Sequence, residues 1–218
     1  MDKIFTAKTV EEAVNAGEIL VIATPSFAVR STVAKLKNAY TNQLVVIISK
    51  GFEEANLLCL SEVTKEELNT DKIVVLSGPS HAEEVVKKMP TTLVAASAND
   101  EYAKTVQDAF MCSYLRIYTS SDIIGVQLGA ALKNVISLCV GVVDGYGYGD
   151  NIKAALMTRG MAEIVRLGTA MGGKAETFYG LSGMGDLIVT CTSMHSRNRR
   201  AGILIGKGKT PEEAKKEV

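Results

Sequence analysis

The stretch DIIGVQLGAALKNVISLCVGVVD, from Asp122 to Asp144, contains one charged residue, Lys133, between its two terminal aspartates. All the other residues are apolar, small or neutral polar, and a stretch that is apolar on every side predicts a buried helix. A lone ammonium group in a buried helix is unfavourable unless it is paired, hydrogen-bonded or deprotonated. Lys133 is therefore the first candidate for a catalytic residue.

Two other interpretations of this stretch are open from its residues alone. Its length suits a transmembrane helix, although a central lysine is costly in a membrane and no Lys/Arg-rich segment flanks either end. Alternatively, Lys133 is structural, with its alkyl chain packed in the core and its ammonium group at the surface.

The chain of 218 residues has 24 basic and 24 acidic residues, and hence no net charge. General nucleic-acid binding needs a positive field, so this balance argues against it. The four cysteines have no C-x-x-C spacing, and we expect them to be small buried residues in a reducing compartment. The N-terminal residues MDKIFTAK contain no apolar signal segment, so we expect a soluble, cytoplasmic protein without a membrane span.

The first half of the sequence alternates apolar strands with helical segments. The predicted strands are 18–24, 43–49, 72–77, 91–96 and 114–118. Unbroken β-branched strands alternating with helices predict a mostly parallel sheet covered on both faces. From Asp122 onward the strand pattern stops, and helices are predicted at 122–143 and 151–171. The fold class is therefore an α/β sheet followed by a helical region.

Ligands of parallel sheets bind at the carboxyl ends of the strands. Lys50 directly follows the second predicted strand, where an anionic ligand would lie, although a solvated loop lysine explains it equally well. The turn Gly78–Ser80 follows the third strand and could present backbone N–H groups to a ligand, or simply start a helix with Ser80 as its cap. His81 and His195 are far apart in the sequence and predict no metal site.

The second half contains two further polar features. Asp186 lies in the glycine-rich segment 178–193, whose turns could direct its carboxylate inward, or it could cap the helix that follows. The cluster Ser196–Arg200 precedes a short predicted helix and has the donors that grip a phosphate, although short basic clusters are usually solvated surface.

Taken together, these segments resemble the bacterial-type NAD(P)-dependent glycerol-3-phosphate dehydrogenases. The matching segments are IISKGFE (47–53), LSGPSHA (76–82), GAALKNV (129–135), GLSGMGDLIVTC (180–191) and SRNRRAG (196–202). The resemblance implies a Rossmann-like dinucleotide-binding domain over residues 1–120, an all-helical substrate domain over 121–218, and an active site in the cleft between them.

The resemblance also implies roles for individual residues. Such an oxidoreductase interconverts dihydroxyacetone phosphate and sn-glycerol 3-phosphate with NAD or NADP, and supplies glycerol 3-phosphate for phospholipid synthesis. Lys133 matches the catalytic lysine. The implied substrate contacts are Lys50, Gly78, Ser80, Lys133, Asp186, Ser196, Arg197 and Asn198. The implied cofactor contacts are Lys50, Ala82 and Arg197. No metal is implied, and a homodimer is expected.

One departure from the family pattern stands out. The family begins with a βαβ unit that carries a glycine-rich pyrophosphate loop, whereas no G-x-G-x-x-G follows an early strand here. We therefore expect a fragment that lacks this unit and the last helices, and that has little or no turnover. The alternatives are an inactive relic or binding fragment, or a hydroxy-acid or ketopantoate-type reductase, against which the phosphate-binding cluster argues.

Overall fold

The structure, a computed structural model, describes residues 4–218. Five strands form one sheet in the order β1-β2-β3-β4-β5. Their bounds are Ile19–Ile22, Leu44–Ile47, Ile73–Ser77, Thr91–Ala96 and Leu115–Ser120. The first three strands run parallel, β4 is antiparallel to β3, and β5 is parallel to β4. The predicted mostly parallel sheet is confirmed, with one antiparallel pair.

The apolar runs form strands because the sheet is covered on both faces. All four residues of β2 are buried. Alternate side chains of this strand enter different parts of the core, with Leu44 and Val46 on one face and Val45 and Ile47 on the other. Burial on both faces removes the need for the polar alternation of a half-exposed strand.

Helices of different lengths cover the two faces. Their bounds are α1 Val10–Asn15, α2 Val29–Leu36, α3 Leu60–Leu68, α4 Ala82–Val85 and α5 Asp100–Phe110, with a 3₁₀ turn at Ser26–Ala28. Helices α1, α2 and α3 pack on the face of the sheet that carries the Val45 side chain, whereas α5 packs on the face that carries Leu44.

After β5 the chain is helical. The bounds are α6 Ile123–Gly145, α7 Asp150–Ala170, α8 Ala175–Phe178, α9 Asp186–Thr192, α10 Arg197–Gly206 and α11 Pro211–Glu217, with a π-helical turn at Leu181–Gly185. The two long predicted helices are confirmed to within two residues at each end. The order of a mostly parallel sheet and then helices is the predicted fold class.

The long helix α6 is the centre of the helical region, and α7, α9 and α10 pack against it. Glycines let α10 lie directly on its backbone. A Cβ atom on Gly202 would lie 2.2 Å from the carbonyl oxygen of Leu138 and 2.9 Å from the Cα of Gly141. No side chain fits between the two helices at this point.

By length and composition alone, α6 could cross a membrane. Half of its most apolar window is buried inside the protein. Its packing against three other helices and the burial of Lys133 favour the buried-helix interpretation.

The expectation that all four cysteines are buried is wrong. Cys59 and Cys191 are buried, whereas Cys112 and Cys139 are exposed, and all four are free thiols. The scattered spacing of the cysteines did not distinguish these two environments.

Candidate active site

Lys133 lies on the side of α6 that faces α9, and it is 5% exposed. Its ammonium group donates hydrogen bonds to Oδ1 of Asp186 and, at 2.7 Å, to Oγ1 of Thr190. The structural interpretation, in which this ammonium group reaches the surface, is therefore wrong. The lysine is buried together with partners, which is how an interior charge is tolerated.

Lys50 reaches the same carboxylate from the sheet. It follows β2, and its Nζ atom lies 2.6 Å from Oδ2 of Asp186 and 3.2 Å from the carbonyl oxygen of Gly78. Gly51 lets the chain turn sharply here, since its φ is +137° and a Cβ atom would lie 2.8 Å from Ser26. The residue after β2 is thus held by the turn after β3 and by the helical region.

Asp186 connects the two lysines, and its residue is 2% exposed. It is the first residue of α9, and its side chain does not cap the helix. The preceding segment is compact because a Cβ atom on Gly183 would lie 2.0 Å from the carbonyl oxygen of Phe178. Close backbone packing, rather than a left-handed turn, therefore explains this glycine, and it directs Asp186 inward.

The environment of Lys133 lowers its pKa to about 8. Burial is the largest cause, and the neighbouring charge of Lys50 adds to it, whereas Asp186 opposes both. One carboxylate between two ammonium groups does not offset the loss of hydration. The site therefore contains a lysine that can both donate and accept a proton close to neutral pH.

A hydroxyl network, which the sequence analysis missed, extends from Lys133 toward α10. The Thr190 hydroxyl donates to the carbonyl oxygen of Asp186 at 2.6 Å. Ser137, one turn after Lys133 on α6, donates to the carbonyl oxygen of Thr190 at 3.0 Å, and its Oγ atom lies 3.1 Å from Oγ of Ser196. The i+4 spacing of Ser137 from Lys133, and of Thr190 from Asp186, was the available signal.

The predicted phosphate-binding cluster lies at the start of α10. Ser196 is buried and caps this helix by accepting a hydrogen bond from the Arg199 N–H at 3.2 Å. Arg197 is exposed and Asn198 is half-buried. Arg199 does not belong to the phosphate-binding donors, because its guanidinium forms an ion pair with Asp144 at 2.6 Å. The hydroxyl network therefore links the catalytic candidate to the start of α10.

The remaining predicted residues belong to the turn after β3. Gly78 has a φ of +143°, and a Cβ atom here would lie 3.1 Å from the carbonyl oxygen of Thr92. The Ser80 hydroxyl donates to the carbonyl oxygen of Gly78 at 3.1 Å, so it closes this turn rather than capping α4. Ala82 is the exposed first residue of α4. Lys50 joins this turn to Asp186.

Comparison with known proteins identifies the family to which this chain is similar. The N-terminal family model of NAD-dependent glycerol-3-phosphate dehydrogenase matches residues 1–103, and the C-terminal model matches residues 122–218. Glycerol-3-phosphate dehydrogenase (NAD(P)+) of Clostridium perfringens (strain SM101 / Type A) is 63% identical over 97% of this chain and 64% of its own length. That of Thermoanaerobacter sp. (strain X514) is 60% identical over 95% of this chain and 63% of its own length.

Solved structures share the same architecture. The glycerol-3-phosphate dehydrogenase of Coxiella burnetii superimposes with a TM-score of 0.90 at 35% identity, over 95% of this chain and 64% of that one. That of Saccharomyces cerevisiae gives 0.86 at 28% identity, over 97% of this chain and 64% of that one. A sheet of this topology followed by helices is thus the fold of these dehydrogenases. The chain belongs to the NAD-dependent glycerol-3-phosphate dehydrogenase family, and it spans about 64% of the length of the Clostridium perfringens relative.

Proposed function

We propose that the chain carries the substrate-binding and proton-transfer centre of an NAD(P)-dependent glycerol-3-phosphate dehydrogenase, which interconverts dihydroxyacetone phosphate and sn-glycerol 3-phosphate. The observation that carries this proposal is the buried Lys133, held by Asp186 and Thr190 beside Lys50. The names of the relatives described above support the same reaction.

Lys133 is assigned the proton transfer. Reduction of the ketone places negative charge on the carbonyl oxygen, which must meet a proton donor. The ammonium form gives that proton, and the neutral amine takes it back in the oxidation. Because the pKa of Lys133 is about 8, both forms are populated near neutral pH. Asp186 and Thr190 engage two of its three N–H donors, which leaves the third for the substrate oxygen.

The phosphate group of the substrate is assigned to the start of α10. Exposed Arg197 offers a guanidinium that can bind a phosphate through two hydrogen bonds. Asn198 and the backbone N–H groups of a helix start supply further donors, with Ser196 fixing where the helix begins. A neutral substrate without a phosphate group would lack the acceptor oxygens that these donors bind.

The rest of the substrate is assigned to the turns at the sheet edge. Lys50 and Asp186 form an ion pair at 2.6 Å, and Asp186 also pairs with Lys133. A substrate hydroxyl group beside Lys133 would therefore be within reach of both side chains. Gly78 and Ser80 form the turn against which Lys50 packs. These four residues would fix the reacting carbon beside the proton donor.

The edge of the sheet fits a nicotinamide cofactor, NAD or NADP. Gly51 and Gly78 have positive φ angles, and a Cβ atom at these positions would meet Ser26 and Thr92 respectively, so these glycines allow the tight turns that form this edge. Lys50, exposed Ala82 and exposed Arg197 are the residues assigned to hold it. When bound there, such a cofactor would supply the hydride for the carbonyl carbon, or take it up in the reverse direction. The 218 residues contain no G-x-G-x-x-G pyrophosphate loop, so the fit concerns the reactive end of the cofactor.

Several further features belong to the same proposal. We assign residues 1–120 to the dinucleotide-binding part and residues 121–218 to the substrate-binding part. A cytoplasmic location, a homodimer and a role in phospholipid synthesis are the corresponding biological predictions.

Titration calorimetry on the purified chain tests the substrate assignment. We expect sn-glycerol 3-phosphate to bind and glycerol not to bind, because the phosphate supplies the charge that α10 recognises. Arg197→Met should weaken binding at least about tenfold, since it removes a bidentate charge-assisted contact. Arg159→Met is the matched control, because that side chain is 74% exposed on α7.

A second measurement follows the chemistry. Any oxidation of NADH or NADPH that depends on dihydroxyacetone phosphate should disappear in Lys133→Met while sn-glycerol 3-phosphate still binds. The reduction should slow, and the oxidation accelerate, as pH rises through about 8. A folded chain that binds neither triose phosphate, or that binds glycerol equally well, contradicts the proposal.

A further inference from the structure

The two histidines of the chain lie beside each other, although they are far apart in the sequence. His81 directly precedes α4, and His195 lies in the loop between α9 and α10. The centroids of their rings are 5.7 Å apart, and the ring planes are tilted by 55°. The contact connects the sheet half of the molecule to the helical half.

Charged groups surround this pair. Nδ1 of His195 lies 4.0 Å from Oε1 of Glu83, in the first turn of α4. The pKa of Glu83 is lowered, first by a hydrogen bond from its own backbone N–H and then by His195, His81 and Arg200. Nε2 of His81 and Nε of Arg200 are buried without a hydrogen-bond partner in the described residues. One carboxylate thus faces two imidazoles and one guanidinium.

Each histidine is adjacent in sequence to a residue assigned to the substrate. His81 follows Ser80, which closes the turn after β3. His195 precedes Ser196, which caps α10. The ring contact therefore lies directly between the two segments that must contact the two ends of one substrate molecule.

We propose that His81 and His195 form a bridge that positions the Gly78–Ser80 turn against the start of α10. The bridge keeps both segments at the spacing that a small phosphorylated substrate requires. It acts through these segments, so the two histidines are positioning residues. The ligand part of this inference rests on the proposed function, whereas the bridge rests on the geometry of the pair.

Within residues 4–218, no group of three or more His, Cys, Asp or Glu side chains is placed to hold a metal ion. The link between the two loops is the ring contact, with Glu83 beside it.

Hydrogen exchange tests the bridge without any ligand. His81→Ala changes a residue next to the sheet, yet we expect faster amide exchange at 194–199, across the contact. Lys87→Ala, an exposed change soon after α4, should leave these amides unaffected. Unchanged exchange at 194–199 in His81→Ala overturns the proposal.

Affinity for sn-glycerol 3-phosphate tests what the bridge does. His81→Ala and His195→Ala should each weaken binding about threefold or more, with an unchanged melting temperature. The double variant should be no weaker than the single ones, because residues in contact lose one shared interaction. His195→Phe should restore most of the affinity, since it keeps a ring against His81.

The outcomes separate the two proposals. If the unmodified chain does not bind sn-glycerol 3-phosphate while His81→Ala still speeds exchange at 194–199, the proposed function fails and the bridge stands. If the unmodified chain binds and the alanine variants bind equally well, the positioning role is overturned and the proposed function stands.

Discussion

Two clusters around α6 are each built on one aspartate that pairs with two cations, and their electrostatic outcomes are opposite. Asp186 pairs with Lys133 and Lys50, whereas Asp144 pairs with Arg199 and Lys153. In the first, the side chains of Asp186 and Lys133 are 2% and 6% exposed. In the second, the side chains of Asp144 and Lys153 are 13% and 23% exposed. The pKa of Lys133 falls to about 8, whereas that of Lys153 rises.

Access to water and the number of carboxylates explain the difference. Burial is the main cause at Lys133, and Lys50 adds a second positive charge. At Lys153, hydrogen bonds to Asp150 and then to Asp144 raise the pKa and outweigh burial. The same pairing therefore yields an exchangeable proton in the interior and a structural link near the surface, where the Asp144 cluster ties α7 and α10 to α6.

Removing each aspartate is the strongest way to contrast the clusters. Asp186→Asn leaves two lysines without their carboxylate in a buried site, and loss of one partner of a buried pair costs about 3–5 kcal/mol. Asp144→Asn should cost about 1–3 kcal/mol, because water can solvate its partners. Urea unfolding at pH 7 measures both. Equal losses would mean that burial does not distinguish the two clusters.

The pH dependence of stability gives a second contrast. The pKa of Lys133 is about 8 in the folded chain, against about 10.5 when unfolded, so the unfolded state binds more protons between these values. Stability should therefore rise with pH across this window, by about 3 kcal/mol for a shift of this size. Lys133→Met should abolish that rise in urea unfolding free energies measured from pH 7 to 10.5.

Lys153→Met is the control with the opposite sign. The folded pKa of Lys153 is raised, so its stabilising contribution is present at neutral pH and is lost as pH rises through that pKa. A Lys133→Met chain that still gains stability toward pH 10.5 would contradict the assignment of the lowered pKa to Lys133.

Much of the fold could be predicted because burial leaves a direct mark on the sequence. The strands appear as β-branched runs, and β4 has the predicted bounds, Thr91–Ala96. The antiparallel direction of β4 cannot be recognised from the residues of the strand itself. The segment before it contains only the four-residue helix α4, whereas a parallel crossover usually needs a full helix. The chain instead returns antiparallel to β3.

Some residues of the candidate site could likewise be predicted from the sequence, and others could not. Lys133 could be singled out because it is the only charge in a long apolar stretch. Ser137 and Thr190 could not, because a hydroxyl on a helix gains a role only when another helix brings it a partner. The pairing of His81 with His195 likewise depends on two loops from different halves of the molecule. Contacts between distant segments are set by packing rather than by local pattern.

A single hydroxyl group provides the smallest test of the comparison. Thr190→Val removes an acceptor of the Lys133 ammonium group but keeps the shape of the side chain. Because that hydrogen bond favours the charged lysine, its loss should lower the pKa of Lys133 further and reduce stability at pH 7 by about 1 kcal/mol. The pH profile of Lys133, followed by NMR of its Cε carbon, measures the first effect, and urea unfolding measures the second.

Thr192→Val is the matched control, because its hydroxyl only bonds back to Ile188 at 2.8 Å on the exposed side of the same helix. It should change neither the lysine profile nor, beyond a few tenths of a kcal/mol, the stability. If the two valine variants behave alike, Thr190 does not help to hold the proton on Lys133. The contrast between the clusters then depends on the charges of Lys50 and Asp186 and on burial alone.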